Sequence, residues 1–345
     1  MDPILRSYVI AGVVVAFGLT LGFFRRRPSA GVLALLSSGV CLFALGAFPK
    51  GDPLEALPGV EVARLGAALL MGALARAAGG PRLPVQRGLA AVVVGALLGG
   101  LNGAALIATL ETDRARASRL ALAAAAAGLL SPVGSPATLL LHAWPTLVPL
   151  ALGMVALSLP GRVILQDKPV LPGRPIVTLL LLLVGVVAAV VSEPLWPLLG
   201  GCALLAVLAR REFGALPRLL SFASVVWVIA AGSVVGLARA SGLLWQAQQG
   251  LVYMEGRDGA VGLGVFLAAA LVAMIGGELF AALAVSSLLG TWAGTPPTSL
   301  ALPLIAGAAV GGLDAIFVSG GLMGAGMLRW LLRLGLALAW VALVV

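Results

Sequence analysis

The sequence predicts an all-α polytopic membrane protein made of inverted repeats, each with a re-entrant hairpin and a broken transmembrane helix. Three observations carry that prediction. Of 345 residues, 61% are hydrophobic and 10% charged, too little charge to coat a globule of this length in water. Apolar stretches of roughly the 20 residues that a helix needs to cross a bilayer recur along the chain, and none alternates as a barrel strand does. Glycine, proline and serine interrupt two such stretches at comparable places, about half a chain apart.

The N-terminal scaffold, residues 1–80, opens with a helix expected over Tyr8 to Phe24. "RRRPSA" follows it with no small-residue cleavage site, so the helix reads as retained and not as a signal peptide. Helices near 30–48 and 61–78 hold few polar residues and suit scaffolding and a homodimer contact. The net charge of +9 does not point to nucleic acid, because the basic residues cluster by segment. With the N-terminus outside, Arg25 to Arg27, Arg76 to Arg87, Arg114 to Arg119, Arg162 to Arg174, Arg210 to Arg218, and Arg329 with Arg333 all face the cytoplasm. Asp52, Glu55 and Glu61 then fall outside, as the positive-inside rule expects. A multi-pass protein of the cell inner membrane, with the lipid bilayer as partner, is the placement that follows.

The first repeat core is residues 81–160. Gly88 to Leu110 is long enough to span, yet basic clusters flank both ends and "GGLNGA" interrupts it. A re-entrant hairpin is therefore expected, with its tip at Leu101, Asn102 and Gly103. The next segment, Leu120 to Trp144, carries "SPVGSPATLL" in its middle. Pro132 and Pro136 remove backbone donors there, and Gly134 permits unusual dihedrals. Ser131, Ser135 and Thr138 offer hydroxyls either to exposed carbonyls or to a ligand in a substrate cavity. A simple proline kink is the alternative.

A helix near 146–160 closes this core, and a basic linker covers 161–175. Helices near 176–192, 195–209 and 219–237, with an interfacial segment over Ala238 to Asp258, form the second scaffold, residues 176–259. The second core, residues 260–345, follows the first. Gly276-Gly277 breaks a hairpin over Val261 to Trp292 just before Glu278, and "GGLDAIFVSGGLMGAG" interrupts a later segment at Ser319, Gly320 and Gly321. The last twelve residues are too short to cross alone. Because the second hairpin would enter from outside, the copies are expected to be inverted, which points to the midplane site of a secondary transporter.

"LNGAALIATL" followed by "SPVGSPATLLL" resembles the hairpin tip and broken helix of the ion transporter superfamily. That group includes sodium/proton antiporters of the D type, arsenite permeases, and citrate and dicarboxylate symporters. The resemblance covers about Arg87 to Trp144 and Val261 to Leu328, and it implies the fold and the transport class. Asn102 is kept, but between Leu101 and Gly103 where the family carries Ser-Asn-Thr-like or Asn-Asp-like tips. Glu278 stands where an Asn is typical, and the break at Ser319 lacks the family's Pro-Pro-Asn ending.

Glu278 and Asp314 are acids set inside long apolar segments. A carboxylate in such a place is costly and marks a proton or cation site, with desolvation expected to raise its pKa. Asn102, Gly103, Ser131, Gly134, Ser135, Thr138, Ser319 and Gly320 supply amide, hydroxyl and backbone groups suited to Na⁺ or to an oxyanion. No resident cofactor or metal is expected. Na⁺ or H⁺ enters as coupling ion, with Asn102, Glu278 and Asp314 around a transported Na⁺. Cys41 and Cys202 lie far from any His and suit packing, and His142 suits an interfacial position. With no HExxH, no GxSxG and one His, the chain is not expected to be an enzyme. Secondary active transport by alternating access is the expected function, as Na⁺/H⁺ antiport. Na⁺-coupled small-anion or arsenite transport comes second, and a non-transporting scaffold or intramembrane enzyme is the alternative of another class.

Overall fold

In the computed structural model the described residues are Val9, Gly12 and those from 58 onward, except 84–86, 101–102, 105, 108–113, 142, 160–170, 192, 216–221, 241, 255–259, 293, 313–324 and 345. They form thirteen α-helices and one short antiparallel strand pair.

No helix among the described residues is long and apolar enough to cross a membrane. This overturns the polytopic fold with inverted transmembrane repeats and the multi-pass inner-membrane placement. The membrane and transport classification, which was drawn from the same spans, falls with them. The physical reason is interruption and charge. The longest helix, α13 (Ala325–Val344), has 20 residues but carries Arg329 and Arg333, and the 19-residue α1 (Gly59–Ala77) carries Glu61, Arg64 and Arg76. A helix such as α10 (Ala260–Gly276), with 17 residues, is about 26 Å long at 1.5 Å per residue, short of a hydrocarbon layer of about 30 Å. Gly and Pro stop the helices where the apolar sequence itself continues.

Two compact units divide the chain. The first comprises Ala63–Ser221 with Leu313–Trp340. It holds most of α1, then β1 (Arg82–Leu83), α2 (Arg87–Leu98), α3 (Arg114–Gly128), α4 (Pro136–Leu141), α5 (Trp144–Ser158), β2 (Leu171–Pro172), α6 (Pro175–Val190), α7 (Leu195–Ala209) and the larger part of α13. Its core combines large side chains such as Met71, Leu122, Leu147 and Met154 with small ones: Ala121, Ala123, Ala124, Ala126 and Ala127 of α3 are fully buried. The small residues let backbones approach closely, and a Cβ placed on Gly95 of α2 would strike the Ala124 carbonyl. At the far side, Arg64 of α1 grips Glu193 ahead of α7 through Nε to Oε1 at 2.9 Å and Nη2 to Oε2 at 2.8 Å. Cys202 Sγ donates to the Ala67 carbonyl at 3.4 Å, a second tie between α1 and α7. Arg82 pairs with Pro172 and Leu83 with Leu171 in the antiparallel strands. Large apolar residues such as Leu179, Val186, Val190 and Trp196 are exposed on the outside of this unit.

The second unit contains Phe222–Gly312, with α8 (Phe222–Ala240), α9 (Leu243–Met254), α10, α11 (Glu278–Leu289) and α12 (Thr298–Val310). Its centre is the pairing of α10 with α12. Cβ atoms at Gly307 and Gly311 would strike the carbonyls of Phe266 and Ala270, so the two backbones touch there. Phe266 is fully buried beside this contact.

Candidate ion site

The helix break after α3 is built from the end of an alanine helix that loses its hydrogen-bond register. Leu129 N donates to Ala126 O at 3.1 Å, Leu130 N to Ala127 O at 3.0 Å and Ser131 N to Gly128 O at 3.3 Å, the tightened i→i−3 bonds of a terminating helix. Pro132 has no N–H to continue them. Gly134 N turns back onto Ser131 O at 3.1 Å. Ser135 then caps α4 by a reciprocal pair: Thr138 N donates to Ser135 Oγ and Ser135 N to Thr138 Oγ1, each at 3.1 Å. Thr138 Oγ1 also donates to Ser135 O at 3.1 Å. The hydroxyls of Ser135 and Thr138 are thus occupied by the cap. Ser131, Val133, Gly134, Ser135 and Thr138 are buried, and Leu130, Pro132 and Pro136 are half-buried.

The hairpin tip sits against the break. Gly99 has φ +87°, a left-handed conformation that ends α2 and that glycine adopts without penalty. The chain beyond it folds back, with Gly103 N donating to Gly99 O at 2.7 Å, and Gly103 and Ala104 are helical and buried. Gly100 N donates to Gly134 O at 2.6 Å. A Cβ at Gly128 would lie 2.6 Å from Gly134 O and 2.7 Å from Gly100 N, and one at Gly134 would strike the Gly128 carbonyl. Gly134 therefore does not front an open cavity, as the sequence suggested; it is a point of backbone packing. Among the described residues, the carbonyl oxygens of Leu129, Leu130, Pro132 and Val133 accept no backbone hydrogen bond.

A second helix–glycine–helix turn occurs in the other unit. Gly277, with φ +86° and ψ 161°, separates α10 from α11, and Glu278 opens α11. The carboxylate stands in the first turn, where the helix dipole favours negative charge, and its Oε1 is shielded from solvent. The structure thus brings together Gly103, Ser131, Gly134, Ser135 and Thr138 in one unit and places Glu278 in the other. Asn102, Asp314, Ser319 and Gly320 lie outside the described residues, as do His142 and Cys41. Among the described residues no three His, Cys, Asp or Glu side chains gather as a metal site.

Sequence reasoning missed the glycines that make the contact, Gly95, Gly100 and Gly128. A signal was present: Gly95, Gly99 and Gly103 recur every four residues, the small-residue spacing that lets a helix lie close to a neighbour. No family model matches the chain, and no curated protein matches it.

Proposed function

We propose that the chain binds a small cation, Na⁺ in the first place, at the broken helix over Leu129 to Ser135. The observation that supports it is the largely buried break, in which the carbonyl oxygens of Leu129, Leu130, Pro132 and Val133 accept no backbone bond among the described residues. Neutral carbonyl oxygens of unwound backbone are suitable ligands for Na⁺, and the buried Ser131 hydroxyl is a further oxygen.

The test is calorimetric titration of the purified chain with NaCl, LiCl and choline chloride. Na⁺ and Li⁺ give saturable heats and choline none. Ser131→Ala lowers the affinity by about tenfold through loss of one oxygen ligand. Equal heats for all three salts would rule the cation site out.

A further inference from the structure

Away from the break, basic side chains of α3 and α13 gather in the first unit. Arg116 and Arg119 stand one turn apart on α3, and Arg329 and Arg333 one turn apart on α13. Both helices border α5. Packing joins α3 to α5. Helix α13 reaches α5 through Arg333, whose Nη2 approaches Met154 Sδ at 3.5 Å, and through Leu336, whose Cδ2 would lie 2.8 Å from a Cβ at Gly153. Buried residues of α13 recur at Trp330, Arg333, Ala337 and Val341, so Trp330 and Arg333 share its inner face, with Arg329 at the edge.

Two donors here have no acceptor. Arg119 Nε and the indole Nε1 of Trp330 are buried without a hydrogen-bond partner, and Trp330 is only 6% exposed. Buried donors of this kind are uncommon in folded proteins and ask for an explanation. Like charge is also collected here: burial and then the positive charge of Arg119 hold the Arg329 guanidinium below its ordinary range. Among the described residues no carboxylate pairs with Arg119 or Arg329. Gathered cations with unused donors are complementary to an anion.

We infer that Arg119, Arg329 and Trp330 bind a phosphate-type oxyanion, with Arg116 and Arg333 adding positive charge one turn away on each helix. The guanidinium forks present paired N–H donors that match the oxygens of a tetrahedral anion, and the indole adds a single donor. Inorganic phosphate and the headgroup of an anionic phospholipid share this chemistry.

Phenylglyoxal labelling of the full-length wild-type chain, mapped by mass spectrometry, tests the site without a variant. Inorganic phosphate at about 10 mM is expected to slow labelling of Arg119 and Arg329 roughly fivefold relative to chloride at equal ionic strength, by occupancy of the site. The exposed Arg210 and Arg211 should label at an unchanged rate. Protection by phosphate identifies a soluble oxyanion. Protection by phosphatidylglycerol vesicles alone, absent with phosphatidylcholine, identifies a headgroup. In a second measurement, phosphate raises the melting temperature of the wild type and fails to do so for Arg119→Gln and Arg329→Gln. Equal labelling under all conditions, slowing of all four arginines together, or an undiminished thermal shift in both variants would overturn the site.

Discussion

The amide of Gly100 donates to the carbonyl of Gly134 at 2.6 Å, joining the tip of the first hairpin to the middle of the helix break. The contact exists because neither residue has a side chain. With Gly128 it forms a patch in which three backbones meet, and the break is fixed by packing from outside as well as by its own prolines.

Gly134→Ala should therefore destabilise the chain. The new Cβ meets the Gly128 carbonyl, which belongs to backbone and cannot swing away, so a loss of about 2–3 kcal/mol is expected from overpacking. Denaturant unfolding followed by circular dichroism measures it. Gly185→Ala, in the interior of α6 with open space around it, is the control and should gain about 0.5–1 kcal/mol from helix propensity.

The Ser135–Thr138 cap makes a separable contribution. Ser135→Ala and Thr138→Val should each cost about 1 kcal/mol through loss of a cap bond at α4. The double variant should cost less than the two together, because each hydroxyl serves the other's amide. Additive losses in the double-mutant cycle would show that the two bonds form independently.

Arg64 and Glu193 present a bidentate pair whose side chains are 12% and 38% exposed. Arg64→Lys should cost roughly 1 kcal/mol, because an ammonium cannot reproduce the two parallel bonds. Glu193→Gln should cost a similar amount, and the wild-type advantage over it should shrink in high salt, since Glu193 is open to solvent screening.

Burial pushes the Cys202 thiol up to about 11. In a Cys41→Ser background, iodoacetamide at pH 8 should leave Cys202 unmodified in the folded chain and react in denaturant, because only the thiolate attacks. The sign for stability follows from the raised value. The folded chain holds the proton longer than the unfolded one, so this contribution is present below the ordinary thiol range and is lost as pH rises towards 11. Unfolding midpoints measured from pH 8 to 11 should fall for Cys202 and stay flatter for Cys202→Ala.

Much of the local structure was legible. The interruptions at Gly99, at Leu129 to Ser135 and at Gly277 lie where glycine and proline punctuate the apolar runs, because the missing Cβ and the missing N–H act on the residue that carries them. Helices α1, α5, α6 and α7 start and stop within a few residues of positions set by proline, glycine and charge. Spanning segments were not legible in the same way. Hydropathy registers the apolar character of a run, whereas the length of a continuous helix depends on where its hydrogen-bond register fails, and several runs were cut by that failure.

The sequence by itself determined where several helices break, with Glu278 directly after the Gly276-Gly277 interruption. Only the tertiary structure decided what those features meet. That Gly134 lies against Gly100, and that Arg333 of α13 reaches Met154 of α5 across 179 positions of sequence, are facts about distant segments. Chain connectivity carries no information on such distances; they arise when backbones close on one another, and in this protein glycine and alanine allow them to close to contact.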